Sequence, residues 1–103
     1  MKITRVQYTV KPEYLEHNKA NIEKVMQEVR SMNWPDFKYT TYLLPDGLSF
    51  MHLAMAENED GNNKLTALES FKKFTSELRE RGVENPPKSE QLSLVASGWE
   101  IFG

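Results

Sequence analysis

The sequence predicts an α+β domain in which a four-stranded antiparallel sheet carries two helices on one face. Three observations predict it. The chain opens on an alternating strand, it holds two amphipathic helical stripes, and two strand-like runs joined by a Pro-Asp-Gly turn lie between those stripes.

Ile3 to Lys11 alternates, with Val6, Tyr8 and Val10 on one side and Ile3, Arg5, Gln7 and Thr9 on the other. Pro12 ends that strand and suits the first turn of a helix, where its missing N–H is not needed. Leu15, Ile22, Val25, Met26, Val29 and Met32 recur at helical spacing, which predicts a helix over 13–32. Pro35 stops it, because the residue before a proline is driven out of helical geometry. Phe37 to Leu44 reads as the second strand and Leu48 to Ala56 as the third. The intervening Pro45-Asp46-Gly47 predicts a three-residue hairpin loop. Thr66-Ala67-Leu68-Glu69 has the form of a capping box, and Leu68, Phe71, Phe74 and Leu78 make a second apolar stripe that ends at Gly82. Val83 to Glu90, with Pro86-Pro87, reads as an irregular connector, and Leu92 to Phe102 as the last strand.

The order β-α-β-β-α-β, with crossovers between parallel strands, predicts the ferredoxin-like arrangement with spatial strand order 4-1-3-2. All 103 residues are expected to form one domain, 1–103. The sheet face away from the helices does not read as polar. Met51, Leu53 and Met55 alternate with Leu48, Phe50, His52 and Ala54, so both faces of the third strand are apolar. A two-layer domain has nothing of its own to cover a second apolar face. A second copy of the same sheet is the simplest cover, and a homodimer is expected.

Composition narrows the function. Thirteen basic and fifteen acidic side chains leave a net charge of −2 with both signs interspersed. A nucleic-acid or anionic-membrane partner is therefore not expected. The absence of cysteine excludes thiol catalysis and thiolate metal sites. With two histidines, no multi-histidine metal site forms within one chain, and Asp60-Gly61-Asn62 lacks the rest of a calcium-loop pattern. Neither a metal nor a cofactor is expected. The alternating N-terminus is unlike a signal peptide and no apolar run approaches membrane length, so a cytoplasmic protein is the expectation.

Element order, the helix lengths and the long final strand resemble the dimeric α/β-barrel superfamily, including antibiotic-biosynthesis monooxygenase-like proteins. Leu68-Glu69-Ser70-Phe71-Lys72-Lys73-Phe74 and Gly98-Trp99 add local similarity. The resemblance implies sheets paired into a barrel and a ligand pocket between sheet and helices or within the barrel. It implies no single chemistry. Haem-degrading relatives carry a histidine on the second helix, and residues 64–82 contain none.

His52 is the candidate catalytic residue, because it sits mid-strand among apolar neighbours and imidazole titrates near neutrality. A three-residue loop would place Tyr42 opposite Phe50 and Thr40 opposite His52, gathering Thr40, Tyr42, Phe50 and His52 on the face away from the helices. Tyr42 is then the second catalytic candidate, and Arg5 or Gln7 of the first strand joins as a ligand contact. Trp99 lines the cavity or seals the dimer seam. The plainer alternative makes His52 a buried, hydrogen-bonded core residue, and His17 reads as a helix-surface histidine. The expected function is a homodimeric small-molecule-binding protein, a cofactor-independent oxygenase or isomerase acting on an apolar or aromatic substrate. The alternative is a non-enzymatic dimeric binding or assembly module without a cavity.

Overall fold

The structure, a computed structural model, describes residues 1–102. Gly103, the end of the expected domain, lies outside the described residues. The strands are β1 (Lys2–Val10), β2 (Phe37–Leu43), β3 (Ser49–Ala56) and β4 (Val83–Leu92), and the helices are α1 (Leu15–Met32), α2 (Asn62–Thr66) and α3 (Glu69–Glu77). The sheet runs β2-β3-β1-β4 with every neighbour antiparallel, the order expected. Tyr8, Val10, Phe37, Phe50, Ala54 and Ala56 point from the sheet into the core, where Ile22 and Val25 of α1 and Phe74 of α3 meet them.

Pro12 opens a short 3-10 turn that leads into α1, and Asn33 closes the helix in left-handed geometry at φ 51°. Asparagine is among the few non-glycine residues that adopt this conformation readily. The second helical stripe divides in two. Leu68 is extended (φ −72°, ψ 135°) and buried, separating α2 from α3. The capping box does not form, since the Thr66 hydroxyl donates to the Asn63 carbonyl at 3.2 Å. Glu28 of α1 caps α3 instead, accepting from the Ser70 N–H at 3.3 Å and its hydroxyl at 2.5 Å.

Two expectations are corrected. The hairpin loop has four residues, not three. Leu44 N–H donates to the Ser49 carbonyl at 2.8 Å, and Asp46 Oδ1 accepts from the backbone N–H of Leu48 (2.9 Å) and Ser49 (2.8 Å). Asp46 thereby holds Leu48 inside the loop, while Gly47 takes φ 76°. The register shifts by one, so that Thr41 faces His52 and Tyr42 faces Met51. Because side chains alternate, that single step moves Thr40 and Tyr42 to the face opposite His52.

The last strand also differs. The expected connector, Val83 to Glu90, lies within β4 (Val83–Leu92), and residues 93–102 of the expected last strand form no regular strand. Pro86 and Pro87 survive because β4 is an edge strand and its pairing with β1 slips between Gln7 and Thr9. At an edge and beside a bulge a proline's missing N–H breaks no ladder bond.

A π-helical turn, Leu78–Gly82, joins α3 to β4. Gly82 lies against Tyr14 so closely that a Cβ there would sit 2.2 Å from a ring carbon. Gly82→Ala is therefore expected to lower stability by about 1–3 kcal/mol, the usual cost of overpacking. Chemical denaturation checks it, and an unchanged midpoint would show that the π turn yields freely.

Candidate functional site

The helix-facing side of the sheet leaves a cavity of ≈ 230 Å³ between β1, β3 and β2 on one side and α2 and α3 on the other. Most of its wall is apolar, with Val6, Ala54, Leu65, Phe71 and Phe74 among the lining residues. His52 lies in this wall and is 4% exposed. Its ring stacks on Tyr8 and Tyr39 (centroids 5.3 and 5.7 Å) and tilts against Phe74 at 5.4 Å. It therefore faces the helices, not the opposite side as expected.

Both imidazole nitrogens are engaged. Nε2 lies 2.8 Å from the Tyr8 hydroxyl, and Nδ1 lies 2.6 Å from the Tyr39 hydroxyl and 3.0 Å from that of Thr41. The Tyr8 oxygen also accepts from Asn18 Nδ2 at 3.0 Å. A continuous chain thus runs Asn18–Tyr8–His52–Tyr39 from α1 across three strands. Burial pushes His52 down to about 4, so it is neutral at physiological pH. Burial also raises both phenols well above the ordinary tyrosine value. Near pH 7 every member of the chain is uncharged, so the site is a hydrogen-bonding device and holds no poised imidazolium or phenolate.

Across the cavity, Asn62 Nδ2 approaches the Thr4 hydroxyl at 3.4 Å, and Asn62 Oδ1 has no partner among the described residues. A second polar cluster lies outside the cavity, between α1 and the end of α3. Glu77 accepts from Asn21 at 2.7 Å and meets His17 at 2.9 Å, with Arg81 at 3.5 Å. These contacts, the Asn21 bond foremost, hold Glu77 down to about 2. His17 is thus a bridge between helices. Among the described residues no group of three or more His, Cys, Asp or Glu side chains could hold a metal ion.

The candidates named from the sequence separate into three places. His52 and Phe50 share the core side, Phe50 being buried and stacked on Tyr8 at 5.7 Å. Arg5, Gln7, Thr40 and Tyr42 gather on the open face, in the rows Arg5–Leu53–Thr40 and Gln7–Met51–Tyr42. There Arg5 donates to Gln7 Oε1 at 2.8 Å. Trp99 is 72% exposed and lines a shallow depression with Leu94 and Phe102.

Sequence reasoning missed Asn18 and Asn21, which are 0% and 3% exposed. Their signal was present, because both occupy positions on the apolar stripe between Leu15 and Val25. A buried polar side chain on such a stripe needs a polar partner inside.

Solved structures share this architecture. A crystal structure of an antibiotic biosynthesis monooxygenase superposes with a TM-score of 0.78 at 14% identity, covering 93% of this chain and 100% of that one. A Bacteroides thetaiotaomicron protein, provisionally named an antibiotic biosynthesis monooxygenase, gives 0.82 at 13% identity over 97% and 94%. Rv0793 from Mycobacterium tuberculosis gives 0.78 at 10% identity over 95% and 98%. The chain has the fold of the antibiotic biosynthesis monooxygenases. No family model and no curated protein matches the sequence. The likeness therefore lies in the fold. Among the described residues no helix is long and apolar enough to cross a membrane.

Proposed function

We propose that the protein is a homodimer that binds an apolar or aromatic small molecule in the cavity beside His52. The observation that supports the reading most is the pairing of an apolar wall with a few polar groups, the His52–Tyr39 end of the chain and Asn62 among them. At ≈ 230 Å³ the space lies just below the roughly 300–1,000 Å³ of drug-sized sites, which suits a molecule of one or two rings. The finer reading is a cofactor-independent oxygenase or isomerase. A neutral phenol donor placed against a substrate carbonyl oxygen polarises it, which suits either reaction. Ligand-observed NMR with one- and two-ring ketones and phenols tests it. Saturable binding is expected, and no binding across the set would leave the cavity without a role.

The homodimer is supported by the open sheet face. Met51, Leu53 and Met55 form a half-buried apolar strip down β3, and they have no covering layer among the described residues. An interface above about 1,000 Å² in total is expected. Sedimentation at low micromolar concentration should give the dimer mass, and Leu53→Glu should give the monomer by placing a charge in the buried seam. A wild-type monomer would contradict this part.

One observation favours a second reading, a dimeric binding or assembly module without turnover. His52 is buried with both nitrogens paired, as a purely structural histidine would be.

A further inference from the structure

We propose that Asn18 is a positioning residue: through Tyr8 it fixes His52 as the Nδ1-protonated neutral tautomer and leaves the Tyr39 O–H as donor to the cavity. The inference follows from counting protons along the chain. Asn18 is fully buried, and its Nδ2 can only donate, so the Tyr8 oxygen accepts at 3.0 Å. The Tyr8 hydrogen must then go elsewhere, and the acceptor in reach is His52 Nε2 at 2.8 Å. A nitrogen that accepts carries no proton, so in the neutral ring the proton is on Nδ1. Nδ1–H faces two hydroxyl oxygens, Tyr39 at 2.6 Å and Thr41 at 3.0 Å.

Both hydroxyl oxygens face that single N–H, and the Thr41 hydroxyl also bonds the Tyr39 oxygen, which leaves the Tyr39 hydrogen without a partner in the chain. Tyr39 lines the cavity, so its hydrogen is the one available to a bound molecule. Were the amide reversed, every bond in the chain would reverse with it. Tyr39 would then donate inward and offer the cavity only a lone pair. Asn18, well away from any ligand, sets whether the cavity prefers an acceptor oxygen or a donor. As drawn, the preference is for an acceptor such as a carbonyl oxygen.

The tautomer stands without the ligand-binding reading, whereas the acceptor preference rests on it, and the experiment separates the two. Two-bond ¹H–¹⁵N correlation on histidine-labelled dimer reports the tautomer directly. An Nδ1-protonated ring is expected for His52, and an Nε2-protonated ring would overturn the inference. Asn18→Asp, whose carboxylate can only accept, should invert the pattern. If that variant does not fold, Tyr8→Phe removes the link while keeping the ring, and a mixture of tautomers is expected. An unchanged Nδ1–H signal in Tyr8→Phe would show that the chain does not set the proton. With 1-indanone and indane as probes, the ketone should bind about three- to tenfold more tightly, the size of one net hydrogen bond. Equal binding of both would overturn the donor role of Tyr39, and binding of neither would count against the cavity reading itself.

Discussion

His52→Ala is expected to lower the stability of the folded protein by roughly 3–5 kcal/mol, among the largest single-site losses in the chain. Two contributions add. Removing the ring takes the acceptor from the buried Tyr8 hydroxyl, which keeps only its bond from Asn18, and the ring partner from the half-buried Tyr39 hydroxyl, each loss costing about 1–3 kcal/mol. It also opens space beside Phe74, and a vacated core position costs more as the residual cavity grows. His52→Phe separates the two, since it keeps a ring of similar volume and loses only the hydrogen bonds. Its cost should be roughly half. A functional His52 on an open face would have tolerated alanine within about 1 kcal/mol. With the residue in the core, a stability loss does not distinguish a structural from a functional role, and binding must be measured on the folded variant. Denaturant midpoints of wild type and both variants check the ordering, and an alanine variant as stable as wild type would show that the phenols find other partners.

Acid should destabilise the protein in two separate windows. Burial depresses His52 from 6.5 in the unfolded chain to about 4 in the folded one. Between these values the unfolded state binds the proton that the native state refuses. The stability contributed by the neutral buried ring is therefore complete above pH 6.5 and is lost as pH falls toward about 4. The loss is about 3 kcal/mol by linkage, of the order expected for a buried imidazole. Glu77 acts lower down. Its carboxylate is held from 4.5 to about 2, so its contribution is present above 4.5 and lost as pH falls through about 2. In His52→Phe the upper window should flatten while the lower one remains. Urea denaturation from pH 7 down to about pH 1.5 measures both, and a wild-type profile that is flat between pH 6.5 and 4.5 would contradict the burial of a neutral His52.

Much of the fold is legible because its determinants are local. The β1 alternation, the α1 stripe and the Pro45-Asp46-Gly47 turn place three strands and a helix, and element order then fixes the strand arrangement. The errors arise where one side chain or one edge overrides the local pattern. Asp46 takes the Leu48 and Ser49 amides, which lengthens the hairpin loop by one residue and turns β2 over relative to His52. Pro86 and Pro87 read as breakers, yet an edge strand with a slipped register accommodates them. The candidate site is half legible for the same reason. His52 stands out in a strand of apolar residues, but its chain is built from three other elements: Tyr8 from β1, Asn18 from α1 and Tyr39 from the turned-over β2. Only the tertiary fold brings them into one chain.

A cavity-filling variant decides whether the cavity beside His52 is a ligand site. Ala54 lies in the wall, 8% exposed, on the same strand as His52. Ala54→Leu projects three more carbons into the space beside Tyr39, its cross-strand partner. Titration of the tightest-binding aromatic ketone, followed by ¹H–¹⁵N NMR of wild type, should perturb resonances of Tyr39, His52, Phe71 and Phe74. The folded Ala54→Leu protein should bind at least about tenfold more weakly, because a filled pocket forfeits most of the apolar contact. Equal affinity in the two proteins, or perturbations confined to the open sheet face around Arg5 and Thr40, would place the ligand elsewhere and contradict the account.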